Sequence, residues 1–475
     1  MDKDQEIERL RAENQQKDER IASLEHQMEF LMHRVQELEG RLKKDSHNSH
    51  LPPSSDRFAR QPKSLRKKSD KPSGGQQGHP GHHLIKVATP DQIVVHTPDV
   101  CCACQHDLRV EPVWRCTRRQ VFDVPVPRLM VTEHQAQSKC CPRCQAITQA
   151  SFPEQVTAPV QYGPAIQAMA VALSQAHLLP DERVCQVLAE MVGVCISVGS
   201  LHSWIMRCAE HLIPVEHAIK AALQQVGVLH QDETGLYVGG KRHWMHVCAT
   251  ASLTHYAWHA KRGREAMDTI GIAPLFKGIS VHDGWDSYQG YPCAHALCNV
   301  HHLRELTWIE ETFTQDWASQ LKAVLLDMKA ATDQARQAGE PHVDATLRHS
   351  LVQRYETLLT QAEQTLPPDP PPKAGKRGRR KRHPARCLWD RLHTYQHQVL
   401  AFLHHLCVPF DNSQAERDIR MVKVQQKVSG CFRSPTGADA FCRIRGYIST
   451  MRKQGHALLP LLEGALAGYP LSPAF

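Results

Sequence analysis

Three acidic residues stand in local settings that suit metal-assisted chemistry on a phosphodiester. Asp232 follows the apolar run Val226-Gly227-Val228-Leu229 in VGVLHQDETG, Asp283 follows Ile279-Ser280-Val281 in ISVHDGWDSY, and Glu416 opens a helical pattern, NSQAERDIRMVKVQQK. Two strand-borne aspartates and one helix-borne glutamate can hold two divalent cations, Mg2+ or Mn2+, about 3.5–4 Å apart for in-line phosphoryl transfer. Arg420, Lys423 and Lys427 fall on the helix face that carries Glu416, a stripe suited to a phosphate backbone or, more plainly, to solvent. Asn412 lies one turn before Glu416, where it either caps the helix or orients that carboxylate.

The totals agree with such chemistry without demanding it. A chain of 475 residues is too long for one core, so several domains are expected. Lys plus Arg number 57 against 49 Asp plus Glu, a net charge of +8, and the excess is concentrated in tracts that favour a polyanion partner. The opening MDKDQEIERL is polar and reads as no signal peptide, and no run reaches the roughly 18 apolar residues of a membrane span. The 17 cysteines read as reduced thiols and a candidate metal site in a cytoplasmic chain rather than as a disulfide framework.

The elements that must position the carboxylates divide the chain into a multidomain α+β arrangement. Residues 1–44 carry a heptad repeat with Ile7, Asn14, Ile21, Met28, Val35 and Leu42 at a and Leu10, Lys17, Leu24, Leu31 and Leu38 at d. That pattern predicts a coiled coil and hence a homodimer, with Asn14 fixing register; a single amphipathic helix packed on its own chain is the plainer reading. Residues 45–90 form a Pro/Gly-rich basic linker that includes Lys67 and Lys68. Its position after the coil, broken by prolines, argues against a basic zipper and leaves a solvated linker or a DNA-clamping arm.

Residues 91–150 contain Cys101-x-x-Cys104 and Cys141-x-x-Cys144 around strand-like text. Two such pairs suit tetrahedral structural Zn2+, although the spacing between them is long and neighbouring Cys102, Cys116 and Cys140 blur the ligand set. Unmetallated cysteines are the alternative. Residues 156–224 read as helical, with Gly193 between two periodic segments in a helix-turn-helix-like order that plain helical packing also explains.

From residue 226 the period changes to that of strands: VGVLHQDET, HWMHVCATA and THYAWHA, a helix over GREAMDTIGIAP, then GISVHD. This order predicts a ribonuclease-H-like core built from residues 225–300 and 408–450, with Asp232 and Asp283 on neighbouring strands. The segment between Asp283 and Glu416 is far too long for a simple connection. Residues 301–407 are therefore read as a helical insertion, broken by a basic loop at 367–386 with Arg379, Arg380, Lys381 and Arg382, and residues 451–475 as a C-terminal tail.

Taken together, PPSSD, GGQQGHPGH, the CxxC pairs, HQDETGLYV, HDGWDSY, HALCNVHHLREL and DNSQAERDIRMVKVQQKVSGCFRS resemble the transposases of insertion-sequence family sixty-six, bacterial DDE-type enzymes, over nearly the whole chain. The resemblance implies that Asp232, Asp283 and Glu416 are the catalytic, metal-binding triad; periodicity alone does not select Glu416 over Glu305 or Glu310. It likewise makes Cys298-x-x-His301 the C-x-x-H signature after the second aspartate, and it implies binding of double-stranded DNA at terminal inverted repeats and at a target, with accessory proteins of the same element. The expected function is Mg-dependent cleavage and strand transfer of an insertion sequence. The alternatives are a non-catalytic dimeric zinc-containing DNA-binding regulator and a ribonuclease-H-like nuclease.

Overall fold

The computed structural model describes residues 3–42, 44, 48, 84–124, 129–367 and 382–475. Helix α1 spans Lys3–Leu42, as the heptads require. Ile21, Leu24, Met28, Leu31, Val35, Leu38 and Leu42 of its seam are exposed in the single chain. Past its C-terminal end, Lys44 Nζ sits 3.8 Å over the Trp308 ring and Asn48 Nδ2 donates to Glu311 at 3.0 Å. The next described stretch carries little regular structure, with one short hairpin of β1 (Ser138–Cys140) and β2 (Ile147–Gln149).

Helices α2 (Pro164–Val171), α3 (Asp181–Val192), α4 (Val198–His211) and α5 (Ile213–Leu223) follow. Gly193 closes α3 at φ 69°, the left-handed cap that glycine adopts without a Cβ penalty. Ser197 caps α4 by accepting from the Ser200 N–H. These are the two segments that the periodicity singled out.

A five-stranded sheet occupies the centre, ordered β5-β4-β3-β6-β7. Strand β3 (Val228–Val238) runs four residues beyond the predicted segment and turns through Gly239 and Gly240 into β4 (Lys241–Ala249). Those glycines lie at φ 56° and 73°, the positive values that a two-residue hairpin turn demands. Strand β5 (Thr254–His259) pairs antiparallel with β4. Helix α6 (Arg264–Ile270) then carries the chain over to β6 (Ile279–His282), which lies parallel to β3. Beside Gly278 an added Cβ would stand 2.5 Å from the Gly227 carbonyl, so glycine lets the two strands approach where their pairing begins. Strand β7 (Ala294–Leu297) adds in parallel to β6 and was not foreseen.

Alternation along β3 and β4 assigns each sheet face a separate core. Leu229 and Cys248 pack with Val215, Ile219 and Leu223 of α5 and Met267 of α6. On the other face Leu236, Val238, Met245 and Val247 meet Ala415, Ile419 and Val422 of a later helix.

Between them the chain makes α7 (Asn299–Phe313), α8 (Asp316–Ala338), α9 (Ala345–Thr365), α10 (Pro384–Thr394), α11 (Gln396–Val399) and α12 (Ala401–His404). Their core includes Val281, Ala296 and Leu297 of the sheet, so this helical segment is rooted on β6 and β7. Helices α13 (Ser413–Ser429), α14 (Pro435–Lys453) and α15 (Leu458–Leu466) complete the chain.

Two expected divisions are corrected. Residues 451–475 are not a tail: α15 buries Leu461, Leu462, Ala465 and Leu466 in the same core as α2, α4 and α14. Three leucines buried to this degree contribute about 4.5–9 kcal/mol over exposure. Residues 156–224 likewise share that core with the sheet instead of standing apart. Leu201, Trp204, Ile205 and Cys208 of α4 are buried within it, while His202 and Ser203 face outward.

Candidate active site

Parallel pairing of β3 with β6 sets the register of the two aspartates. His230 lies opposite Val281, so Asp232 and Asp283 are each two residues further on along neighbouring strands. Asp283 follows the last residue of β6, and its Oδ1 accepts the Trp285 N–H at 2.9 Å, a short Asx-type turn that fixes the carboxylate at the strand end. Asp232 Oδ1 accepts the N–H of Glu233 at 2.9 Å. Since strand neighbours alternate, Asp232 faces α13 while Glu233 faces the opposite side of the sheet.

Glu416 sits in the first turn of α13. Asn412, at the start of that turn, does not cap the helix through its side chain. Its Nδ2 donates instead to the Gln231 carbonyl at 2.8 Å, its Oδ1 lies 2.9 Å from His230 Nδ1, and its backbone N–H donates to Cys298 Sγ at 3.2 Å. Asp411 takes the local turn bond, accepting the Ser413 N–H at 2.9 Å. The helix that bears the glutamate is thus tied beside the residue preceding Asp232 and to the start of α7.

The carboxylates feel one another. Burial raises the pKa of Asp232 well above the ordinary range, and the charges of Glu233, Asp283 and Glu416 raise it further. Glu416 is raised first by burial and also by Asp411 and Asp283, with Arg304 and Arg420 pulling the other way. No cation is among the leading influences on Asp232. A concentration of negative charge of this kind is relieved by a bound divalent cation.

Among the described residues, the one group of three metal-ligand side chains whose ligand atoms all lie within 4.8 Å of one another is Cys298, His301 and Glu416. Asp232 and Asp283 do not join Glu416 inside that limit. His301 Nε2 stands 3.7 Å from Glu416 Oε1, and Cys298 Sγ 4.0 Å from the same oxygen.

Behind Asp232 the sheet holds a network that the sequence did not reveal. Glu233, with a side chain only 1% exposed, pairs with Arg262 at 2.6 Å and accepts the Tyr288 hydroxyl at 2.5 Å. Arg262 lies 4.1 Å over the Trp285 ring and 5.0 Å over Trp244. Tyr288 stacks on His282, the residue before Asp283, at 4.6 Å. The available signal was the tandem Asp-Glu in a strand, which forces one of two acids onto the inner face.

Of the basic residues, Arg420, Lys423 and Lys427 are all exposed on α13, as the stripe predicted, and Lys423 Nζ donates to the Gly235 carbonyl at 2.6 Å. Arg382 pairs with Asp390. Lys67, Lys68, Arg379, Arg380 and Lys381 lie outside the described residues. The paired cysteines form two matching turns. The Cys101 N–H donates to the His106 carbonyl and the Cys141 N–H to the Ala146 carbonyl, both at 2.8 Å. Gln105 and Gln145 both sit at φ 61°. Backbone N–H groups of Cys104 and Ala103 lower the Cys101 thiol, and those of Cys144 and Arg143 lower Cys141. Each turn is formed, yet the four sulfurs are not gathered into one ligand set at the 4.8 Å limit.

A family profile described as "Transposase IS66 family" matches residues 159–440, from the first buried helices through the sheet and α13. The chain belongs to the transposase IS66 family. Residues 2–85 match a second family, one of unknown function, and the comparison with curated proteins finds no match. The family match encloses Asp232, Asp283, Cys298, His301 and Glu416 together; the cysteine turns lie outside it. No helix among the described residues of this IS66-family chain is long and apolar enough to cross a membrane.

Proposed function

We propose that this transposase cuts and rejoins DNA at Asp232, Asp283 and Glu416, which hold Mg2+ or Mn2+. The observation that carries the reading is the approach of the three carboxylates at the junction of β3, β6 and α13, close enough that the charges of Asp283 and Glu416 add to burial in raising Asp232 and that of Asp283 adds to burial in raising Glu416. The strand order β5-β4-β3-β6-β7, with β4 alone antiparallel to the central pair's direction on one side and β6 parallel on the other, supports a ribonuclease-H-like core. A divalent cation held there supplies Lewis acidity and an activated oxygen nucleophile.

The chain's own residues do the remainder. Asn412 holds α13 against β3, and Asp283 is oriented by the turn through Trp285. Arg420, whose charge reaches Glu416, and Lys427, two turns further along α13, are exposed, where a phosphate backbone would neutralise them. The exposed seam of α1 supports a homodimer, and the two matching Cys-x-x-Cys turns support structural Zn2+, each turn offering one pair of thiolates, Cys101 with Cys104 and Cys141 with Cys144. Double-stranded DNA, as element ends and target, is the substrate.

A strand-transfer assay with a labelled, pre-cleaved inverted-repeat end tests the reading. Joined product is expected in Mg2+. Nicks without joining would favour a nuclease, and binding without either product a regulator.

A further inference from the structure

We infer that Cys298, His301 and Glu416 form a second metal site, selective for zinc or a similarly soft divalent cation, and that filling it withdraws Glu416 from Asp232 and Asp283. The second half rests on the function proposed above; the first does not. Cys298 stands at the N-terminal boundary of α7 and His301 three residues on, a spacing that places both side chains on one helix face. Glu416 reaches them from α13.

The separations of 3.7 Å from His301 Nε2 and 4.0 Å from Cys298 Sγ to Glu416 Oε1 are close to a tetrahedron's edges. For metal–ligand bonds of about 2.0–2.3 Å those edges measure roughly 3.3–3.8 Å. Three protein ligands leave the fourth position open for water. The Asn412 N–H, 3.2 Å from Cys298 Sγ, supports the sulfur from outside the ligand set, as metal-bound thiolates require. On binding, the cation takes the place of the thiol proton, which leaves to solvent.

Donor chemistry separates the two sites. Thiolate with imidazole selects zinc, whereas carboxylates alone select magnesium. Glu416 is the only side chain common to both, so zinc and the paired magnesium ions compete for it.

Cobalt(II) is the probe. The full-length chain, stripped by a chelator and titrated with cobalt, is expected to bind one equivalent more than Cys298→Ser or His301→Ala, and absorption from the remaining cysteines is expected to persist. Loss of a direct ligand lowers affinity by at least the ~10–100-fold that losing a supporting partner costs. His301 has a side chain 12% exposed, so its replacement carries the test if Cys298→Ser misfolds. In parallel, zinc added to the magnesium-driven reaction is expected to slow the wild type, and the ratio of rates with and without zinc is expected to return towards one in His301→Ala. Equal cobalt stoichiometry in all three proteins overturns the site. A lost equivalent without zinc inhibition overturns the withdrawal of Glu416. An intact cobalt site in a protein that never cleaves DNA contradicts the proposed function and leaves this site standing.

Discussion

Asn412 Nδ2 donates to the carbonyl of Gln231 at 2.8 Å, joining the first turn of the glutamate-bearing helix to the residue beside Asp232 across a long stretch of chain. Both groups are buried, so nothing from solvent replaces the bond. Asn412→Ala leaves the Gln231 carbonyl without its donor, a cost of about 1–3 kcal/mol. It also frees Glu416 to drift. Denaturant titration should show that loss, and cleavage should fall further than the unfolded fraction explains.

Glu233→Ala removes the carboxylate shared by Arg262 and Tyr288. Arg262 keeps a side chain 37% exposed, so water recovers part of the loss, and the expected destabilisation is about 1–3 kcal/mol, well below that of a fully buried pair. Glu233→Gln, which retains acceptor and shape, should recover about half. Urea midpoints at constant m-value decide this.

Acid should destabilise the protein through three buried histidines. Burial lowers His246 and His255 to about 4 and His282 to about 3. Glu216 lies 3.8 Å from His255, but Arg443 engages that carboxylate at 2.6 Å, and Lys220 and His217 add to the depression. All three rings are neutral when folded and titrate near 6.5 when unfolded. Their contribution is therefore complete above about pH 6.5 and is lost as pH falls towards 4. The expected loss is on the order of 3 kcal/mol between about pH 6 and pH 5. Melting temperatures across that range, with His246→Gln showing the shallower slope, check the sign.

Lys427 is exposed on α13 beyond Arg420, free of the carbonyl bond that engages Lys423. If it meets one phosphate, Lys427→Ala lowers the slope of log affinity against log salt by about 0.9. Lys423→Ala should change the slope less, because its ammonium is partly committed to Gly235. Binding to an inverted-repeat duplex at several salt concentrations separates the two.

Much of this was legible in the sequence. The apolar runs before Asp232 and Asp283 gave away β3 and β6, and the heptads gave α1. Strand β7, AHAL, is too short to show alternation, and β3 continued through LYV because its partner in β4 lies across a two-glycine turn. Helix α15 was missed as a tail because its apolar residues find their partners in α2 and α4, which precede it by more than half the chain. Glu416 was reached through resemblance and not periodicity, since three glutamates lay on plausible helices. The role of Asn412 was half seen: its position near Glu416 was readable, but its partners Gln231 and His230 are tertiary. The tandem Asp232-Glu233 in a strand signalled one inward acid, but not that its partners are Arg262 and Tyr288, which only folding supplies.

The most direct measurement of the central claim is magnesium-dependent cleavage of an inverted-repeat substrate by Asp232→Asn beside the wild type, with end binding measured in the same preparations. Burial and neighbouring charges oppose ionisation of Asp232, so the variant should fold at least as stably, bind the ends nearly as well and cleave nothing. Cleavage at the wild-type rate by a folded Asp232→Asn protein would contradict the account.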